Sequence, residues 1–136
     1  MAQKVAVITG GSKGIGFTIA QQFAKNGYNL IITGRREDRL QEMKTTLEKN
    51  HSVKVLTLCF DVRDEKQVEA AVKSITGDFK MIDVLVNNAG LAAGLSAIQD
   101  GKLAHWEQMI DTNIKGLLYM TKCISKIMIA NKKVTL

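Results

Sequence analysis

The stretch Thr9-Gly10-Gly11-Ser12-Lys13-Gly14-Ile15-Gly16 constrains this chain more than any other, because of what flanks it. Before it, Lys4-Val5-Ala6-Val7-Ile8-Thr9 is short, almost wholly apolar and β-branched, as expected of a strand covered on both faces. After it, Ile15, Ile19, Ala20 and Phe23 recur at helical spacing, and Asn26-Gly27 ends the helix. Glycine clusters by themselves are ordinary turns. Between a buried strand and an amphipathic helix, however, the glycines take separate tasks. One allows the tight turn, one lets the backbone approach a pyrophosphate, and one lets helix and strand pack closely. The helix N-terminus then offers free N–H groups and its positive dipole end to the phosphates. Gly10, Ser12, Lys13, Gly14, Ile15 and Gly16 are accordingly candidate cofactor-binding residues.

Two related motifs fail on spacing. A nucleoside-triphosphate loop needs Gly-x4-Gly-Lys-Ser/Thr, but Gly11-x4-Gly16 runs into Phe17-Thr18. The common Gly-x-Gly-x-x-Gly form fails because Ile19 follows where its third glycine belongs. What stands here is Gly-x3-Gly-x-Gly.

Strand and helix patterns alternate onward. Leu30-Ile31-Ile32-Thr33 reads as a second buried strand, and Leu40, Met43 and Leu47 mark a helix ending near Asn50. Val53 to Phe60 reads as a third strand. Asp64 with Gln67 resembles a capping box opening a helix that buries Val68, Ala71, Val72 and Ile75. Val84-Leu85-Val86 reads as a fourth strand, running into Asn87-Asn88-Ala89-Gly90 and a Gly- and Ala-rich loop through Gly101. From about His105 to Asn131, Trp106, Met109, Ile110, Leu117, Met120, Ile124 and Ile127 predict one long or kinked helix. Right-handed crossovers make such units a parallel sheet with helices on both faces. Val134-Thr135-Leu136 reads as the start of a fifth strand, leaving the fourth strand and the last helix without a neighbour.

Composition narrows the class. A chain of 136 residues, 46% apolar and 24% charged, suits a single globular domain. No apolar run of about 18 residues occurs, which argues against a membrane span, and the N-terminus has no signal-peptide pattern, so a cytoplasmic location is expected. The net charge of +6 is mild. Lys115, Lys122, Lys126, Lys132 and Lys133 cluster late in the chain, but without arginines and interleaved aromatics they read as a solvated helix face rather than a nucleic-acid surface. Cys59 and Cys123 lie far apart, make no metal-ligand spacing and read as buried small apolar residues. His51 and His105 read as surface or capping residues, and no metal is expected.

The glycine spacing together with Asn87-Asn88-Ala89-Gly90 resembles the short-chain dehydrogenase/reductase family, over essentially the whole chain. That resemblance implies an α/β fold, a Rossmann-type doubly wound parallel sheet, here truncated after about four βα units. It implies that Asp61-Val62 contacts the adenine and that Asn88-Ala89-Gly90 lies along a cofactor ribose, with Asn87 helping to hold the sheet. It also implies that Asn113, in Asp111-Thr112-Asn113-Ile114-Lys115-Gly116, is the active-site asparagine. Within the family, Arg35 to Leu40, Asp61 to Asp64 and Trp106 to Asn113 are similar to the NADP-dependent serine and allo-threonine 3-dehydrogenases.

The cofactor ribose is read at the tip of the second strand, where an acid accepts both hydroxyls of NAD and an arginine pairs with the extra phosphate of NADP. Here the tip is Thr33-Gly34-Arg35-Arg36, with no acid. Arg35 offers a planar pair of donors, Arg36 stands beside it, and Lys13 adds a cation near the glycines. Glu37 reads as the first turn of the next helix, where an acid suits the dipole. NADP is therefore favoured over NAD.

The family's chemistry also uses a serine that orients the substrate and a tyrosine with a lysine four residues later. None of these matches here. Tyr119 is followed by Lys122 and Cys123, the wrong spacing, and Ser96 and Ser125 do not fit the serine. The expectation is a dinucleotide-binding domain over residues 1–136, without its C-terminal catalytic half. Its family chemistry is hydride transfer between nicotinamide and a small alcohol or carbonyl substrate, with homo-oligomers expected of full-length relatives. The alternatives are a non-catalytic dinucleotide-binding fragment and a truncated reading frame without stable function.

Overall fold

The computed structural model describes residues 3–12 and 14–132. Lys13 and the proposed fifth strand at 134–136 lie outside the described residues.

β1 (Val5–Thr9), β2 (Asn29–Gly34), β3 (Val55–Cys59) and β4 (Ile82–Val86) form one sheet in the order β3-β2-β1-β4, parallel throughout. This is the first part of a Rossmann-type doubly wound sheet. The chain winds outward from β1 to β3, then crosses back to place β4 on β1's other side, so a crevice opens at the C-terminal ends of β1 and β4. Both faces are covered, which is why these strands are apolar runs rather than alternating ones. Val5, Val7, Ile31, Ile82 and Leu85 pack beneath α3 (Glu65–Lys73) and α5 (Leu117–Ala130). Ala6, Ile8, Leu30 and Ile32 pack beneath α1 (Gly14–Lys25) and α2 (Glu37–Asn50). The β1–β4 register slips between Val5 and Ala6, and there the Asp83 carboxylate accepts the Val5 N–H at 2.9 Å.

The long C-terminal helix is interrupted, as its sequence allows. α4 (Leu103–Ile110) passes into a π-helical turn, Asp111–Gly116, and then α5. Met120, Ile124 and Met128 point into the core, whereas Ile110, Ile114, Leu117 and Leu118 are exposed. The apolar spacing marked the helix correctly but did not show which apolar side chains meet the sheet. The cysteines also differ from expectation: Cys59 is exposed and Cys123 half-buried. Cys59 ends β3, an edge strand among the described residues, so one side of it has no neighbour. Among the described residues no helix is long and apolar enough to cross a membrane.

Candidate functional site

The described residues at the C-terminal ends of all four strands converge on one cleft of about 410 Å³, within the size range of small-molecule sites. Every described residue proposed as cofactor-binding lines it: Gly10, Ser12, Gly14, Ile15 and Gly16 from the first turn, Arg35 and Arg36 after β2, Asp61 and Val62 after β3, and Asn88, Ala89 and Gly90 after β4. Lys13 is not among the described residues.

The glycines divide their tasks by geometry. Gly10 has φ +64°, and a Cβ there would stand 2.8 Å from the Ala89 Cα, so the turn leaving β1 and the segment leaving β4 touch through backbone. Gly14 has φ +60° with open space above it, leaving the start of α1 accessible from the cleft. A Cβ on Gly16 would strike the Gly10 carbonyl oxygen and stand 2.5 Å from Asn88 Nδ2. Gly16 is therefore what lets α1 approach the strand ends. The first N–H groups of α1 have no carbonyl four residues earlier within the helix to bond, and the residues that carry them, Gly14, Ile15 and Gly16, line the cleft.

Thr9 ties this end together, although its sequence context did not single it out. Its buried Oγ1 accepts the N–H groups of Asn88 at 3.0 Å and Ala89 at 2.9 Å, and Asn88 Nδ2 donates to the Gly10 carbonyl at 3.0 Å. A lone hydroxyl closing an apolar strand run was the signal available. The Asn87 side chain reaches α5: its Nδ2 donates to Thr121 Oγ1 at 3.0 Å, anchoring the end of β4 to that helix.

Charge gathers at the other end. Arg39, one helical turn beyond Arg35, also lines the cleft, giving three arginines against a single acid, Asp61, among the described residues. Arg36 is paired with Asp38 at 3.3 Å, whereas Arg35 makes no ion pair among the described residues. Glu37 opens α2 and accepts from Gln41 Nε2 at 2.9 Å, outside the cleft lining. Asp61 is gripped by Arg63, whose Nη2 lies 2.6 Å from Oδ2 and whose backbone N–H donates to Oδ1 at 3.0 Å. Partial burial pushes the Asp61 carboxyl up, but Arg63's hydrogen bonds and charge, with the charge of Arg35, outweigh it and hold the group below the usual carboxylate range. The Asp64–Gln67 cap forms only in part: Asp64 accepts the Gln67 N–H at 3.1 Å, while Gln67 Oε1 accepts from the Asp61 N–H at 3.0 Å.

Asn113 lies in the π-helical turn and is not part of the cleft lining, although its neighbour Thr112 is. Its Oδ1 accepts the Leu91 N–H and its Nδ2 donates to the Leu91 carbonyl, each at 2.9 Å. A Cβ on Gly90 would lie 3.1 Å from that Oδ1. The asparagine thus hangs the strand-β4 loop at the cleft edge.

A dinucleotide phosphate fits these donors. Among the described residues the cleft's one acid is neutralised by Arg63, Arg35 makes no ion pair, and the buried hydroxyls of Thr33 and Thr112, both lining it, have no hydrogen-bond partner. Buried polar atoms left in this way are costly unless a ligand or water reaches them.

The short chain dehydrogenase family model matches residues 4–135. The chain belongs to the short-chain dehydrogenase family. It is 45% identical over 120 residues to the NADP-dependent 3-hydroxy acid dehydrogenase YdfG of Salmonella typhi, covering 88% of this chain and 47% of that protein. Sulfoacetaldehyde reductase 2 of Chromohalobacter salexigens matches with the same identity and the same coverage of each chain. The closed form of serine dehydrogenase complexed with NADP+ superposes with a TM-score of 0.85 at 38% identity, over 95% of this chain and 50% of that one. The chain spans about half the length of the curated relatives it matches. The family match agrees with the resemblance read from the glycine spacing, and the serine dehydrogenase likeness agrees with the one read in Arg35 to Leu40, Asp61 to Asp64 and Trp106 to Asn113.

Proposed function

We propose that these residues form the NADP-binding half of a short-chain oxidoreductase acting on a small alcohol or carbonyl substrate. The observation that carries this reading is Arg35, which lines the cleft at the tip of β2 and, among the described residues, has no ion-pair partner and no acid beside it at that strand end. Gly10, Ser12, Gly14, Ile15 and Gly16, with Lys13 expected beside them, would hold the pyrophosphate against the α1 N-terminus. Arg35, with Arg36 and Arg39, would take the 2′-phosphate. Asp61 and Val62 would border the adenine, with the Asp61 carboxylate already engaged by Arg63. Asn88, Ala89 and Gly90 would border the nicotinamide ribose. When bound, NADP supplies a hydride-carrying nicotinamide. Asn113 contributes by fixing the loop at Leu91.

The 136 residues contain no Tyr-x-x-x-Lys, the acid–base pair that the family resemblance implies. Loss of a general acid–base costs about 10²- to 10⁴-fold in rate. Binding without turnover is thus expected of these residues alone. That is the non-catalytic reading, and oxidoreduction belongs to a chain that supplies the pair. Fluorescence titration with NADPH and NADH tests the proposal. NADPH should bind at least about tenfold more tightly. Equal or tighter NADH binding would overturn the cofactor assignment, and turnover with a carbonyl panel would overturn the non-catalytic reading.

A further inference from the structure

A second cavity, of about 640 Å³, lies between α3 and α5 and shares no lining residue with the nucleotide cleft. Val72 and Ile75 in its wall are buried, and Ile127 and Cys123 are half-buried. Among the described residues its charged lining is Lys73, Lys80, Lys122 and Lys126 against one acid, Glu69. None of these four ammonium groups makes an ion pair among the described residues. Lys115, by contrast, is paired with Asp111 at 3.4 Å on its own helical segment. The four come from three separate segments: α3, the turn Gly77–Lys80, and α5. A solvated helix face would explain the α5 lysines alone, not their convergence with Lys73 and Lys80. Asn131 Nδ2 donates to the Lys80 carbonyl at 3.0 Å, holding that turn against the end of α5.

Uncompensated like charges round an apolar depression repel one another and are relieved by an anion. A groove of this volume, set against a nine-residue α3 about 13 Å long, suits an alkyl chain rather than a folded partner. Lysine suits the task, because its methylene stem can lie along a tail while its ammonium meets the head. Burial first, and the Glu69 charge second, push the Cys123 thiol up, so it presents a neutral, weakly polar surface rather than a nucleophile. We infer that the groove between α3 and α5 binds a medium-chain carboxylate, its head held by the lysines and its tail lying on Val72, Ile75 and Ile127.

Calorimetric titration of the full chain with decanoate, below its micellar concentration, tests this. Saturable binding is expected, weakening about two- to fourfold for each methylene removed from the tail. Lys122→Glu with Lys126→Glu should weaken it at least about tenfold. Decyltrimethylammonium should not compete. In a Cys59→Ser background, decanoate should slow modification of Cys123 by a thiol reagent. Should the α5 double variant lose its circular dichroism, Lys73→Glu with Lys80→Glu poses the same question from outside that helix. Absence of saturable binding, affinity unmoved by charge reversal in a folded variant, or unchanged Cys123 reactivity would each overturn the inference.

Discussion

The two ends of the nucleotide cleft are built on different physics. At the glycine end, position is fixed by backbone: Gly10 against Ala89, Gly16 against Gly10 and Asn88, and the Thr9 hydroxyl taking two N–H groups. No charged side chain among the described residues takes part there. At the arginine end, Arg35 and Arg36 are exposed and Arg39 half-buried, and on the proposed reading recognition would rest on charge carried by these long side chains. The first end cannot be adjusted without moving chain segments. The second can be retuned by single substitutions that leave the fold alone. On the proposed reading, shape would set that a dinucleotide can lie here, and surface charge would set which one.

The sharpest way to break this contrast is Gly16→Val. The added carbons meet backbone atoms that cannot yield, so NADPH binding should be abolished and stability reduced by about 3 kcal/mol, read by titration and urea unfolding. Unchanged binding would show the glycine end to be less rigid than its packing indicates. Arg35→Ala should weaken NADPH binding about 10- to 100-fold, leave NADH binding and the unfolding midpoint alone, and flatten the salt dependence of NADPH affinity. Loss of stability in that variant would erase the distinction between the two ends.

Thr9→Val sharpens it at smaller scale. The substitution keeps volume but leaves the Asn88 and Ala89 N–H groups without their acceptor, so unfolding free energy should fall by about 1–3 kcal/mol. The smallest effect belongs to Asp61→Asn. The native Asp61 carboxyl is held below its unfolded value, so its contribution is present above the unfolded pKa, about 3.9, and is lost as pH falls through the folded one. The difference in melting temperature between wild type and Asp61→Asn should be small and constant from pH 5 to 7, and should vanish as the pH drops well below 4. A difference that grew with acidity would contradict the sign.

The sheet and its order of elements were legible because periodicity and punctuation agree: apolar β-branched runs, glycine stops and helical spacing lead to one topology. The glycine turn was legible because it depends on backbone freedom, which the residue type declares. Thr9 was not, since a threonine ending a strand is unremarkable until β4 arrives beside it from far along the chain. Arg39 was missed for a related reason, as its place in the cleft depends on how α2 leaves β2. The exposure of Ile110, Ile114, Leu117 and Leu118 was hidden because the π-helical turn shifts the phase between α4 and α5, and no fixed helical period carries across it. Lys122 and Lys126 read as part of a solvated stripe because Lys73 and Lys80, which line the same groove, come from other segments.

Asn113 grips Leu91 by its N–H and its carbonyl together, as a neighbouring strand would. Both groups belong to the main chain and are common to every amino acid but proline, which lacks the N–H. The amide is therefore indifferent to what side chain position 91 carries. Residue 91 can change in size or polarity while the loop keeps its path, so the rim of the cleft can acquire new selectivity without being hung anew.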